Sequence, residues 1–335
     1  KDVYNRIWEG YAQDTWQVSP RLTLNYGVRY MYQGVVGVTN NARSFFDQVN
    51  DKIALPQNSA TPTLPVDGNA AFFQAYLPYF ETTQSIGLST HYMRPSKDYF
   101  QPRIGFAFRP SDGTVIRGGY GVYYNFNILD FGMWDSLNLP FGSNSETASS
   151  KLPGVPTAPY VPDITFADPF GNAAVSIAAN PTLYSVQPDI KNARIQQYSL
   201  TVERQFQRNW MGRISYVGSA TRNLPYFEQD FNQPLVQIPN TPYQAQRPYQ
   251  PWGTIYKIRS DGGAIQNFNQ LQLEAKRRFD NGVSFQAEYS WTRSLDNVEY
   301  VGGPQRVAFP NLDYGNSTGI STNRLVFNYL YELPF

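Results

Sequence analysis

From Leu22 to Tyr30 the chain alternates without a break, with Leu22, Leu24, Tyr26, Val28 and Tyr30 set against Thr23, Asn25, Gly27 and Arg29. A period of two places one set on each face of an extended strand, because successive side chains point to opposite sides. The pattern recurs along the chain. Trp8 to Val18 precedes this strand across Ser19-Pro20-Arg21, a turn whose proline cannot donate to a ladder. Arg103 to Arg109 and Val115 to Tyr124 flank Pro110-Ser111-Asp112-Gly113, and Gln196 to Phe206 and Trp210 to Val217 flank Gln207-Arg208-Asn209. Asn269 to Phe279 and Val283 to Thr292 flank Asp280-Asn281-Gly282, where Asn-Gly supplies the positive φ angles of a tight hairpin. A last strand, Leu325 to Leu333, has no return partner.

Every second connection is long: Met31 to Gln101, Asn125 to Arg194, Gly218 to Gln266 and Arg293 to Asn323, rich in Pro, Asn, Ser, Gly and Tyr. Tight turns alternating with long loops put all the long loops at one end, as in transmembrane β-barrels with short periplasmic turns and long extracellular loops. A soluble sandwich has no reason for that asymmetry. The prolines of Asn58 to Pro65 and Leu152 to Pro162 suit linkers, but Ala71 to Phe80 and Tyr120 to Trp134 carry too many rings for that. Such loops are expected to fold over something. The fold class is therefore all-β, an antiparallel transmembrane β-barrel in part, with residues 1–335 belonging to one barrel domain.

Composition agrees. Charged residues make up 16% of the chain, against about a quarter in soluble domains, and aromatics another 16%. No apolar run approaches the roughly 20 residues of a transmembrane helix, and alternating strands leave the mean hydropathy, −0.46, looking soluble. Both termini are expected to be cuts from a longer chain, since Lys1 to Arg6 contains no apolar export segment. Phe335, preceded by Leu333, Tyr331, Tyr329 and Phe327 at alternate positions, resembles the C-terminal signal of outer-membrane proteins. Pro334 interrupts the pairing it would need, which favours truncation.

If the chain lines a barrel, charge cannot face lipid, so Arg29, Arg103, Arg109, Arg117, Glu203, Arg213, Gln286 and Glu288 are expected to face the lumen. Trp16, Tyr30, Trp210, Tyr289, Trp291, Tyr329 and Tyr331, toward the strand ends, are expected to form aromatic girdles at headgroup level. One strand alone would equally fit the solvated face of a soluble sheet. Repetition over nine strands favours the barrel, but an odd number cannot close the usual even-stranded wall.

Enzymatic chemistry finds no support. The single histidine, His91, has only Asp98 or Glu81 to work with, and no serine elbow is present. Gly118-Gly119-Tyr120-Gly121 lacks the lysine and helix of a phosphate loop. Asp296, Asn297, Glu299 and Asp313 lack regular calcium-loop spacing, and no cysteine exists to hold metal. No cofactor is expected. A net charge of +1 with scattered basic residues argues against a nucleic-acid partner.

The segments Tyr11 to Tyr30 (YAQDTWQVSPRLTLNYGVRY), Pro102 to Phe108 (PRIGFAF) and Arg117 to Tyr124 (RGGYGVYY) resemble the barrel of TonB-dependent receptors. Ser215 to Ser219 (SYVGS), Phe279 to Asp296 (FDNGVSFQAEYSWTRSLD) and Tyr331 to Phe335 (YELPF) are similar to the Oar-like group. That resemblance implies a 22-stranded barrel occluded by an N-terminal plug, often behind a carboxypeptidase-regulatory-like domain. It also implies a place in the bacterial outer membrane among its lipids, a bulky solute as ligand, and energy delivered by the TonB complex through N-terminal parts absent here. A passive porin or adhesion barrel, and a soluble all-β binding protein, are the competing expectations.

Overall fold

A computed structural model describes residues 2–94, 96–125, 130–142, 180–206, 209–261, 263–298, 309–333 and 335. Nine long strands form the wall: β1 (Ile7–Ser19), β2 (Leu22–Gln33), β3 (Tyr99–Ser111), β4 (Thr114–Tyr124), β5 (Arg194–Phe206), β6 (Trp210–Arg222), β7 (Ile265–Asp280), β8 (Val283–Asp296) and β9 (Asn323–Tyr331). They pair antiparallel with their chain neighbours in one sheet, to which Gly315–Asn316 adds a short rung beside β8. All nine strands read from the alternation are present. Several run a few residues further than their apolar pattern, because ladder hydrogen bonds continue into the loop ends. β9 stops at Tyr331 rather than Leu333, where the Glu332 amide caps the Gly282 carbonyl at 2.8 Å.

The tight turns follow local chemistry. Asn281 (φ 51°) and Gly282 (φ 74°) join Asp280 to Val283 with positive φ at both central positions, the type I′ pattern that matches strand twist. Strand β3 absorbs Pro110 and Ser111 behind a bulge, shortening the turn to Asp112-Gly113 with Gly113 at φ 82°. Pro20-Arg21 closes the first hairpin behind a bulge at Gln17/Ser19.

The sheet is open: β1 and β9 are each paired on one side only among the described residues. No second layer covers the wall there either, and its apolar residues stand exposed, Ile104 at 58%, Ile214 at 56% and Leu325 at 72%.

The buried core lies instead in the long loops, gathered at the end away from the tight turns. Lys52–Leu55 pairs with Phe45–Asp47 and Phe80–Thr82, while Ile255–Arg259 pairs with Leu183–Val186 and Tyr226–Glu228. Between these sheets pack Phe46, Leu55, Phe73, Tyr76, Phe80 and Trp252. Loop residues 70–75 form the helix Ala70–Ala75, capped by Asn69, whose side-chain oxygen accepts from the Ala71 and Phe72 amides. The helix buries Phe72 and Phe73, as the ring content of Ala71 to Phe80 implied. Leu152 to Pro162 lies outside the described residues.

Candidate functional site

Residues directly opposite each other in an antiparallel ladder share a face, so the registers sort the wall side chains from first strand to last. One face carries Arg29, Arg103, Arg117, Glu203, Arg213, Gln286 and Glu288, through pairs such as Arg29↔Gln101, Arg103↔Gly121, Thr201↔Arg117, Glu203↔Arg213, Arg213↔Glu274 and Glu274↔Glu288. Arg109 lies within the bulge of β3 and joins Glu203, Met211 and Lys276 around a depression of about 400 Å³. By register, seven of the eight residues singled out as polar share one side, and Arg109 lies beside Glu203 at the edge of it. Trp16, Tyr30, Trp210, Tyr289, Trp291, Tyr329 and Tyr331 occupy the opposite face, tied by pairs such as Trp16↔Leu24, Tyr30↔Phe100, Leu271↔Trp291 and Phe285↔Tyr329. Trp16, Trp210, Tyr329 and Tyr331 stand at the tight-turn end and Tyr30 at the loop end. Tyr289 is seventh in β8, close to its middle.

Charges on the polar face largely answer one another. Arg29 pairs with Glu9, Arg117 with Glu203 at 3.6 Å, and Arg213 with Glu274 at 2.5 Å. Gln286 donates to Glu274 at 3.0 Å and to Glu288 at 2.5 Å, extending the last pair across three strands. Glu9 and Glu274 were not singled out from the sequence, although Glu274 shares its parity with Gln270, Gln272 and Lys276. Glycine thins this face near its centre: Gly105, Gly119 and Gly121 lie beside Ser199 over a hollow of about 870 Å³ that Arg103, Tyr123 and Gln197 also line.

The ring-bearing face holds a feature that period-two reading missed. The Tyr198 and Tyr216 hydroxyls both donate to the Asn269 side-chain oxygen at 2.8 Å, Tyr120 donates to Gln196 at 2.9 Å, and Tyr289 to Asn323 at 2.6 Å. These belong to different strands, so only the register brings them together. Each hydroxyl thus has a partner that does not depend on water.

In the cap, buried amides hold separate loops to one another. Asn138 donates to the Ser44 and Tyr184 carbonyls at 2.7 and 2.6 Å and accepts from the Tyr184 amide at 2.6 Å. Asn232 donates to the carbonyls of Tyr249, Trp252 and Gly253 and accepts from the Tyr249 amide. The fully buried Trp252 indole donates to Asp51 at 2.9 Å. Asn50 bridges Asp47 and Glu81 at 3.0 Å each, and burial together with Asp47 raises the Glu81 pKa to about 7. Burial also raises Asp135, opposed by the charge of Arg43, and Arg43 donates to the Val36 carbonyl beneath the Tyr92 ring.

None of this assembles a reaction centre among the described residues. His91 is exposed, and no three His, Cys, Asp or Glu side chains there gather as metal ligands. Asn297 spends its amide on Ile265 and Gly263, Asp296 accepts from Ser317, and Glu299 lies outside the described residues. What the arrangement offers is a mixed-charge wall on one side, rings on the other, and a folded cap at one end.

The family described as outer membrane beta barrel domain matches residues 1–335. No curated protein matches. Among solved structures, the chain is similar to the outer membrane transporter YddB from Escherichia coli (14% identity, 88% of this chain, 25% of that one, TM-score 0.45). It is also similar to the alcaligin outer membrane receptor FauA from Bordetella pertussis (11%, 99% and 35%, TM-score 0.41) and to the copper transporter OprC (10%, 99% and 33%, TM-score 0.46). The chain spans about a quarter to a third of their lengths.

Proposed function

Because the chain belongs to the outer membrane beta barrel domain family and so resides in the bacterial outer membrane, we propose that it forms part of the wall and outer cap of a TonB-dependent transporter. On this reading the chain is a segment of a single barrel domain within a larger, 22-stranded wall of the Oar-like kind. The polar face, with Arg29, Arg103, Arg109, Arg117, Glu203, Arg213, Gln286 and Glu288, lines the lumen. The opposite face meets lipid, with Trp16, Tyr30, Trp210, Tyr289, Trp291, Tyr329 and Tyr331 in its interfacial girdles. The observation that carries this is the division of nine strands into a paired-charge face and an uncovered ring face, with the described parts of the long loops at one end. Lipid has no water to satisfy charge, so only the second face suits it.

The cap supplies the first contact for a bulky solute, whose uptake, or alternatively export, past a plug draws energy from the TonB complex through N-terminal parts outside this chain. Aromatic and amide side chains suit polar solutes with apolar faces.

Planar-bilayer recording on the full-length protein tests the reading. A plugged receptor gives no steady conductance until the plug is loosened with urea. Open, ohmic steps without urea would favour a passive porin, and a protein that stays monodisperse in buffer without detergent would overturn membrane insertion altogether.

A further inference from the structure

The ring-bearing face is not evenly filled. Near the tight-turn end Gly212, Ala275 and Ala287 lie side by side on β6, β7 and β8, through the pairs Gly212↔Ala275 and Ala275↔Ala287. Larger neighbours, Ile214, Leu273 and Leu325, rise around them, leaving a groove of about 510 Å³ whose exposed lining is almost wholly apolar. At its edge on β5 stands Arg204, directly opposite Gly212. The groove is oily, and a cation stands at its edge.

That cation is out of place by the logic of its face. Its neighbours there are Val202 and Phe206, and it forms no ion pair among the described residues, its guanidinium lying 5.4 Å from the Phe206 ring centre. Two strands away, Arg277 lies on the same face, 5.8 Å from the Trp210 ring. Depth explains how the membrane tolerates both. A strand of 13 residues, rising about 3.3 Å per residue and tilted about 40°, spans roughly 33 Å against an apolar band of about 25 Å. About 4 Å remains at each rim, and Arg204, two residues from the end of β5, reaches headgroup level there.

We propose that this groove binds an anionic phospholipid of the periplasm-side leaflet, with an acyl chain over Ala275 and Ala287, alongside the Phe206 ring that covers Gly212, and the phosphate against Arg204, Arg277 supporting it. Apolar walls fit the chain and charge complementarity fits the head. The assignment rests on the reading that this face meets lipid.

The test reconstitutes the full-length protein in vesicles and measures tryptophan quenching by brominated phosphatidylglycerol and brominated phosphatidylcholine, with Trp210→Phe isolating the signal beside the groove. The expected result is a preference of about threefold or more for phosphatidylglycerol. Arg204→Gln abolishes it, Arg204→Lys keeps it, and Ala287→Phe lowers quenching by both lipids at Trp210. Equal quenching by the two lipids, or a preference unchanged in Arg204→Gln, overturns the site. Loss of the preference on adding inorganic phosphate at moderate ionic strength would show a phosphate site without an acyl component, which also overturns it. Absence of quenching by either lipid would instead defeat the lipid-facing reading on which the site depends.

Discussion

At the scale of single residues, two positions carry most of what is local and testable. Gly282 turns the β7–β8 hairpin at φ 74°, a region that costs an L-residue about 1–2 kcal/mol. Gly282→Ala is expected to lower the urea unfolding midpoint by a corresponding amount, and an unchanged midpoint would show that the hairpin relaxes around it. Glu81 behaves differently. Its folded pKa, about 7, lies above the ordinary 4.5, so the folded chain binds more protons than the unfolded one between those values. Cap stability is therefore greatest below about pH 4.5 with respect to this group, and falls as pH rises toward 7. Glu81→Gln should flatten that slope in thermal scans across pH 4.5 to 7, and an identical slope would rule out Glu81 as its source. The alternation brought the eight polar and seven aromatic wall residues within reach of sequence reading, but it could not expose this carboxyl pair, because Asp47 and Glu81 meet only when two loop strands pair with a third.

At the scale of elements, the molecule divides into ribbons held by ladders and loops held by a core. The ribbons depend on register, which the turns and the apolar parity fix together. The loops depend on side chains that bridge distant segments. Asn138 bridges the Ser44 carbonyl and both backbone groups of Tyr184, and its removal takes that partner from three backbone polar atoms at about 1–3 kcal/mol each. Asn138→Ala is expected to open the cap to limited proteolysis while the wall stays resistant. Trp252→Ala, a cavity of the kind that costs about 3–5 kcal/mol, should do the same. Digestion of wall and cap at one rate in both variants would mean that they unfold as a unit.

At the scale of the whole molecule, the question is which face meets which medium. Leu273 and Gln272 are adjacent in β7 and point to opposite sides. Leu273→Arg near mid-membrane is expected to destabilise the folded protein by about 2–4 kcal/mol, whereas Gln272→Arg, beside Glu274, should change stability little. Equal penalties, measured by folding equilibria in lipid vesicles, would deny the assignment of the faces. The open edges of β1 and β9 belong to this scale too: backbone groups left unpaired in lipid are costly, so both must find strands to pair with in the assembled barrel.

What the amino-acid sequence determined alone is the wall: nine strands, their tight turns and the parity that sets Arg29, Arg103, Arg117 and Arg213 on the face opposite Tyr30, Tyr289, Tyr329 and Tyr331. These arise from interactions between near neighbours, a two-residue period and a two-residue turn, and so leave a signature in consecutive positions. The cap was decided only by tertiary structure. Trp252 donates to Asp51, 201 residues away, and Leu183–Val186 lies parallel to Ile255–Arg259. Such contacts form because buried rings and unpaired amides must find partners wherever the ribbons bring them, and nothing in a local window records which partner that will be.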